Sequence, residues 1–248
     1  MKSIIVRLDC ITNMHVGNGD VNYNIIDNEV ERDPVTNYPT INASGVKGAL
    51  REYFSKDNNL KAYVDKLFGE DGSNGTKSGT LKILQADMLA IPARASKGDS
   101  AYYLVTTNEA LNKLKEKENL FWTTTDAFSS EEVNNIAVEG VSLAKKVTIK
   151  GKDKDKDKDK DLYIISDEDF REKISLPVIA RNNLENGISK NLWYEEVVPH
   201  ESIFTFAVIT DDNNNSDLEI FKAGISSKVI QFGGNASIGY GLCKVTVM

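Results

Sequence analysis

GGNASIGYG, at residues 233–241, is the stretch that points most directly to the fold, because four glycines in nine residues lead into an apolar strand over 242–247. Glycine lacks a Cβ atom and can adopt positive φ, so the backbone of such a stretch can approach another group closely. A second loop of small residues, INASG at 41–45, leads into a helix that carries Lys47 and Arg51. Together the two loops suggest a backbone cradle for phosphates, and hence a protein that binds nucleic acid. A set of tight turns is the alternative explanation for the first loop.

Composition is that of an ordinary globular chain, with 40% hydrophobic and 27% charged residues over 248 positions. The net charge of −7 argues against a free-standing, non-specific nucleic-acid binder, whereas a subunit of an assembly needs only a basic face. No apolar run approaches the roughly 20 residues of a membrane span, and the first residues are typical of a strand rather than a signal peptide. We therefore expect a cytoplasmic protein that does not bind membranes. Cys10 and Cys243 are expected to be buried thiols.

The spacing of apolar residues predicts a series of strands and helices in a single domain over 1–248. Strands are predicted over 3–11, with one face buried, and over 80–90, 101–107, 202–210 and 242–247. Helices are predicted from Ser44 as N-cap, and over about 59–67, 108–118 and 217–231. Loops are predicted over about 12–43, over 69–79 and, in a tract of alternating Lys and Asp, over about 150–162. This order of elements favours an α+β fold over a doubly wound α/β fold.

The motifs argue against enzymes that use nucleotide cofactors. Gly17-Asn18-Gly19 and the end of the glycine-rich stretch both lack the third glycine of the dinucleotide fingerprint, and residues 44–48 lack Walker spacing. The acidic residues between Asp20 and Asp33 imitate a calcium loop, but Ile25 occupies the position of the required glycine. A looser site for a hard divalent cation stays open, because carboxylates are suitable ligands.

Two further groups of residues have both a functional and a structural explanation. His15, beside Gly17 at the end of the first strand, would contact RNA or assist proton transfer, or it has a structural role. Trp193 and Tyr194 would stack on or wedge between bases, or they pack in the core.

Several blocks resemble the RAMP superfamily of CRISPR proteins. The blocks at 15–19, 27–36 and 39–51 resemble its N-terminal signature, and residues 232–241 resemble its C-terminal glycine-rich loop. The segments LPVIARNN at 176–183 and GISKNLWYEE at 187–196 are more specifically similar to the repeated backbone subunit of type III-B (Cmr) CRISPR effectors. The Lys/Asp tract belongs to no pattern of the family.

The resemblance implies a modified RRM-like, ferredoxin-type core with a glycine-rich loop and a thumb hairpin inserted at about 176–198. It implies that several copies form a helical filament along a guide CRISPR RNA, together with other Cmr subunits. Single-stranded target RNA would be cut beside each thumb at regular intervals, with the RNA's own 2′-hydroxyl as the attacking group and Mg²⁺ or Mn²⁺ as cofactor. By motif, the catalytic and metal-holding aspartate of the family falls on Asp27.

The candidate residues follow from the loops and the resemblance together. Asp27 and His15 are the catalytic candidates, and Asp27 is also the metal candidate. The RNA-binding candidates are the small and basic residues of the helix start, the polar and aromatic residues of the thumb, and the glycine-rich loop: Ser44, Gly45, Lys47, Gly48, Arg51, Arg181, Asn182, Lys190, Trp193, Gly233, Gly234, Ser237, Gly239, Tyr240 and Gly241.

Four alternatives stay open at this point. The chain could be an RNA-binding structural subunit that has lost cutting, or the counterpart of this subunit in type III-A effectors. It could also be a guide-processing nuclease that acts alone through His15, although the Trp193 segment argues against this. A plain α+β protein with a carboxylate-bound metal and no RNA is the fourth.

Overall fold

The structure is a computed structural model that describes residues 1–19, 25–72, 75–121, 129–149 and 159–248. The predicted Lys/Asp loop lies largely outside the described residues. The helices are α1 (Ala43–Lys56), α2 (Val64–Phe68), α3 (Asn108–Phe121), α4 (Asp167–Lys173) and α5 (Asn215–Ile225). The strands are β1 (Lys2–Cys10), β2 (Thr40–Ile41), β3 (Gly69–Gly72), β4 (Gly75–Ser78), β5 (Leu81–Ile83), β6 (Ala86–Lys97), β7 (Tyr102–Thr106), β8 (Ser129–Val138), β9 (Val141–Ile149), β10 (Lys160–Ile164), β11 (Val178–Glu185), β12 (Ile188–Glu196), β13 (Ile203–Thr210), β14 (Val229–Gln231) and β15 (Leu242–Val247).

Most strands form one large sheet, in the order β14-β15-β1-β13-β6-β7-β10-β9-β8, to which β2 and β5 are also paired. The first strand is an interior strand, third in this order, and β1 pairs antiparallel with both β13 and β15. Helix α1 lies in the chain between β1 and β6, and α5 lies between β13 and β15. Outside this sheet, β11 pairs with β12, and β3 pairs with β4. The predicted α+β class is confirmed.

The larger core fills one face of the sheet. The alternating Ile4, Val6 and Leu8 of β1 are buried there with Leu50 of α1 and Phe221 of α5. The ring of Phe54 stacks on Phe221 at 5.8 Å between centroids and meets the edge of Phe68 at 5.3 Å. Such aromatic pairs contribute beyond the area they bury, so α1, α2 and α5 are fixed on the sheet together.

The opposite face of β1 is also covered, which corrects the prediction of a half-buried strand. Ile5 and Arg7 lie on that face and are 0% and 1% exposed. Helix α3 lies against β1 and β6 and contributes Leu111 and Leu114 to a second apolar cluster that includes Ile5. The residue pattern of β1 alone does not indicate that α3, which lies far along the chain, packs on its second face.

Several element boundaries also differ from the predictions. Helix α1 has Asn42 rather than Ser44 at its N-cap, and no side chain caps it. The loop predicted over 69–79 contains the hairpin of β3 and β4. The helix predicted over 217–231 ends at Ile225, because Val229–Gln231 pairs with β15 instead. In the last two cases strand pairing overrides a weak local preference.

Candidate RNA interface

The hairpin of β11 and β12 coincides with the predicted thumb segment. Asn186 and Gly187 connect its strands, both with positive φ (51° and 81°), as a tight two-residue hairpin turn requires. The strands pair with each other and not with the main sheet. Three apolar side chains near the turn, which we call the hairpin tip, are 53–65% exposed: Leu184, Ile188 and Leu192. The tip therefore presents apolar surface with no partner in the described part of the chain.

The predicted thumb residues divide between the two faces of this hairpin. Arg181 is paired across the strands with Trp193, and Asn182 with Leu192 on the opposite face. Trp193 is half-buried, while Asn182 and Lys190 are exposed. Lys190 forms an ion pair with Glu185 at 3.3 Å.

The other end of β12, which we call the hairpin base (Tyr194, Glu195 and Glu196), holds Asp27. The backbone N–H groups of Asp27 and Asn28 both donate to the carbonyl of Tyr194, each at 3.1 Å. The Tyr194 N–H donates to Oδ2 of Asp27 at 2.8 Å. Asp27 is exposed, and its Oδ1 has no bonded partner among the described residues. The structure therefore fixes one carboxylate oxygen to the hairpin base and leaves the other facing solvent.

Residues 25–33, the Asp27 segment, are held by side chains as well as backbone. The buried Glu196 carboxylate accepts the Val30 N–H at 3.1 Å and the Arg32 Nη2 at 2.5 Å. At the end of the segment, Asp33 Oδ1 accepts the Thr36 N–H at 2.8 Å. Burial acts to raise the pKa of Asp33, but hydrogen bonds from Thr36 and Lys113 outweigh it and lower the pKa to about 2. The Asp33 end of the segment is therefore held by a carboxylate whose lowered pKa keeps it ionised at neutral pH.

His15 lies beneath the hairpin base rather than at an open surface. It is 9% exposed, and its Nδ1 lies 2.8 Å from the carbonyl oxygen of Glu196, which accepts the Nδ1–H. Its Nε2 lies 3.8 Å from Oε1 of Glu195. These contacts favour the structural role, one of the two explanations given for His15 from the sequence, over proton transfer. Among the residues that the structure describes, His15 and the Asp27 carboxylate form no hydrogen bond with each other.

Glu195 joins the hairpin to the glycine loop, residues 233–241. Its carboxylate accepts hydrogen bonds from Asn235 Nδ2 at 2.6 Å and from Arg181 Nε at 2.7 Å. The Arg181 guanidinium also lies 4.9 Å from the ring centroid of Tyr240, a cation–π contact. Arg181 and Tyr240, predicted separately as RNA contacts, are thus bound to each other. Both oxygens of the Glu195 carboxylate therefore accept hydrogen bonds, as a carboxylate that is 4% exposed requires.

The glycines of this loop serve different purposes. A Cβ atom at Gly233 would overlap the carbonyl oxygen of His15, and one at Gly241 would overlap that of Phe232. Both glycines have positive φ, so tight turns account for them. Gly239 also has positive φ but open space around it, and Ser237 and Gly234 are exposed. Gly233 and Gly241 are therefore required by close packing, whereas Gly234, Ser237 and Gly239 lie on accessible surface.

The start of α1 is exposed, but of its two cations, Lys47 and Arg51, the second is engaged in contacts within the chain. Ser44, Gly45, Lys47 and Gly48 are exposed, and the first N–H groups of the helix have no side-chain cap. Arg51 donates to the carbonyl oxygen of Gly69 and pairs with Asp65 at 3.3 Å. Its guanidinium therefore ties α1 to the α2–β3 junction. Lys47 forms no ion pair within the described residues.

The sequence-based search missed the residues that assemble the site. Glu195, Glu196 and Arg32 hold the Asp27 segment and the glycine loop to the hairpin base, yet each is a common surface residue type. The available signal was Glu195-Glu196, two glutamates directly after an aromatic pair near a strand end. Because successive strand residues face opposite sides, one of the two carboxylates had to lie on the inner face of the strand. A cleft of about 630 Å³ beside the segment is lined in part by Ile26, Arg32, Arg171 and Val178.

The described residues also bear on metal binding and on membranes. They contain no group of three or more His, Cys, Asp or Glu side chains placed to hold a metal ion. In the same part of the chain, no helix combines the length and the apolar character that crossing a membrane demands.

Comparison with known proteins confirms the resemblance that the motifs indicated. The family model of the RAMP superfamily matches residues 7–244. The chain is 28% identical to the CRISPR system Cmr endoribonuclease Cmr4 of Pyrococcus furiosus, over all of this chain and 96% of the relative. It is 34% identical to the CRISPR system CMR subunit Cmr4 of Saccharolobus solfataricus, over 55% of this chain and 46% of that one.

Solved structures share the fold over the full length of the chain. A cryo-EM structure of type III-B Cmr-beta bound to cognate target RNA matches with a TM-score of 0.78 at 24% identity, covering 100% of this chain and 97% of the other. The crystal structure of oligomeric Cmr4 from Pyrococcus furiosus matches with a TM-score of 0.71 at 24% identity, covering 100% and 98%.

Proposed function

The chain belongs to the RAMP superfamily, and on that premise we propose that it is the guide-RNA-binding backbone subunit, subunit four, of a type III-B CRISPR effector. Several copies form a helical filament with other Cmr subunits along the guide CRISPR RNA. The filament cuts target RNA at regular intervals, with Asp27 as the catalytic residue. The comparisons support this proposal through a full-length relative named an endoribonuclease, a similar chain in a complex with target RNA, and a similar chain that is oligomeric.

The core is proposed to be a modified RRM-like domain. The four strands β15, β1, β13 and β6 are adjacent in that order and antiparallel to their neighbours. In chain order they are the fourth, first, third and second strands of a β-α-β-β-α-β series in which α1 and α5 are the helices. This order supports the ferredoxin-type core, to which the remaining strands and α3 are additions.

The position of Asp27 is the observation that carries the catalytic proposal. Its carboxylate is exposed, yet it is held by the Tyr194 N–H at the base of a hairpin whose apolar tip projects free of the main sheet. An apolar tip that enters an RNA duplex would unstack a nucleotide, and the freed backbone would be able to align for attack. Cutting would form a bond from the 2′-oxygen to the adjacent phosphorus and break the bond to the 5′-oxygen. The products would be a 2′,3′-cyclic phosphate and a 5′-hydroxyl.

The described residues fit a divalent ion only if the RNA shares in binding it. Mg²⁺ is commonly held by one or two carboxylates together with substrate phosphates and water, and the solvent-facing Oδ1 of Asp27 is one such ligand. When bound, the ion would supply charge stabilisation at the scissile phosphate. The role of this chain is to hold that carboxylate in place at the hairpin base.

The exposed start of α1 is the best-supported site for guide-RNA phosphates. Its uncapped N–H groups, the exposed Ser44 and Gly45, and Lys47 without an ion pair among the described residues favour an anion. Gly239 and Ser237 of the glycine loop and Trp193 of the hairpin offer further contacts. Sequence would be read by guide–target base pairing, so side chains that read bases are not required.

Target cleavage by the complex reconstituted with guide RNA and Mg²⁺ or Mn²⁺ tests the proposal. Asp27→Asn keeps an oxygen for the Tyr194 N–H but removes the charge, and we expect target binding to persist while cutting falls by about 100-fold or more. Wild type and the control Asp99→Asn, which changes an exposed turn aspartate, should give a ladder of regularly spaced products ending in cyclic phosphate.

Two results would contradict the catalytic assignment. Equal cutting by wild type and Asp27→Asn would place the cutting residue elsewhere. Binding without cutting by every form, wild type included, would make the chain a structural subunit of the filament.

A further inference from the structure

We propose that the ion pair of Arg32 and Glu196 positions Asp27 for cutting, so that both are positioning residues of the proposed ribonuclease. This inference rests on the proposed function and adds to it two residues that touch neither the reacting atoms nor the metal. It follows from how the Asp27 segment is attached to the hairpin base.

The segment is bound at two points to the same strand end. Asp27 exchanges hydrogen bonds with Tyr194, and five residues later Arg32 bonds to Glu196, two residues beyond Tyr194. Between these points Asn28 forms a parallel bridge to Glu195, and the Glu196 N–H donates to the Asn28 carbonyl at 2.9 Å. The segment therefore lies along β12 as a short added strand, which Arg32 and Glu196 close at its far end.

The Glu196 carboxylate depends on Arg32 for its charge balance. It is 7% exposed, and Arg32 is the cation that pairs with it among the described residues. A buried carboxylate without its partner is strongly unfavourable, so loss of Arg32 drives the Glu196 side chain towards solvent. This movement loosens its hydrogen bond from the Val30 N–H, three residues from Asp27. Misplacement of a catalytic group by about 1 Å is enough to lower a rate about 100-fold.

The contacts of Arg32 favour this role over direct RNA binding. Its Nη2 donates to Glu196, and its Nη1 donates to the carbonyl oxygen of Asn37 at 3.2 Å. Its side chain is 31% exposed. The guanidinium is thus directed into the protein by two bonds, and little of it is available to a phosphate.

The experiment measures single-turnover kcat and target Kd separately for the reconstituted complex at two salt concentrations. The variants are Arg32→Gln, Glu196→Gln, the double variant and Arg32→Lys, with Arg94→Gln as the control for loss of an arginine–glutamate pair, since Arg94 bonds to Glu139 instead. We expect each glutamine variant to lower kcat by about 10- to 100-fold with target Kd within about twofold of wild type. The double variant should be no slower than the slower single variant. Arg32→Lys should recover part of the rate, and Arg94→Gln should match wild type.

Three results would overturn the inference. The first is a kcat within about twofold of wild type in both single glutamine variants. The second is a weaker target Kd with a reduced salt dependence at unchanged kcat, which would make Arg32 a phosphate contact. The third is failure of all the variants, Arg32→Lys included, to assemble with guide RNA, which would make the pair a requirement for folding. Asp27→Asn, measured beside them, separates the two proposals: if it cuts like wild type, the proposed function itself fails.

Discussion

The base and the tip of the β11–β12 hairpin differ in almost every physical respect. At the base, the buried carboxylates of Glu195 and Glu196 accept hydrogen bonds from three separate parts of the chain: β11, the glycine loop and the Asp27 segment. At the tip, Leu184, Ile188 and Leu192 are more than half exposed. The base therefore contains buried, hydrogen-bonded carboxylates, whereas the tip is an exposed apolar surface that is suited to contact a partner. We therefore expect substitutions at the base to change the free energy of unfolding, and substitutions at the tip to change interactions with RNA.

Removal of the Glu195 carboxylate should cause the largest loss of stability at the base. In Glu195→Ala, Arg181 and Asn235 lose their shared acceptor in a buried setting, and the free energy of unfolding should fall by about 3–5 kcal/mol. Urea denaturation of the isolated chain measures it. A loss below 1 kcal/mol would show that the base is solvated in solution.

The glycine loop offers a matched pair of substitutions. Gly241→Ala places a Cβ atom against the Phe232 carbonyl at positive φ, and we expect a loss of about 3 kcal/mol. Gly239→Ala has the same sign of φ but open space around it, so about 1 kcal/mol is expected. Thermal unfolding of the two variants side by side checks this order, and equal losses would contradict the packing role given to Gly241.

The hydrogen bonds that the Asp33 carboxylate accepts should make the stability of the protein depend on pH. Its folded pKa of about 2 lies below the ordinary value of 3.8, so its contribution is complete above about pH 4 and is lost as pH falls towards 2. At pH 7 it amounts to about 2 kcal/mol. Asp33→Asn should be less stable than wild type at pH 7, with the difference shrinking between pH 4 and pH 2. A constant difference across that range would exclude the carboxylate as its source.

The tip should be the most tolerant of these regions. Leu192→Ser replaces an exposed side chain, so the free energy of unfolding should change by less than about 0.5 kcal/mol. If the tip enters the guide–target duplex, the same variant should reduce cutting by the complex. A stability loss above 1 kcal/mol would show that the tip is packed on something, and the comparison with the base would no longer hold.

Fold class and many elements were accessible from the sequence, because they depend on local periodicity. The alternation of Ile4, Val6 and Leu8 and the helical spacing of Val46 and Leu50 correspond to β1 and α1 as observed. The errors lie where distant segments meet. The second buried face of β1 depends on α3, and the strand at Val229–Gln231 depends on β15.

For the site, the sequence by itself singled out Asp27, the glycine loop and the hairpin segment, through motifs that resemble a known superfamily. Only the tertiary structure decided that His15 and Arg51 are engaged in internal contacts, and that Arg181 and Tyr240 contact each other. It also revealed that Glu195, Glu196 and Arg32 join the Asp27 segment to the hairpin base. The reason is physical: a motif is a property of neighbours along the chain, whereas the partly buried ion pair of Arg32 and Glu196 joins residues 164 positions apart and exists only once the strands are in register.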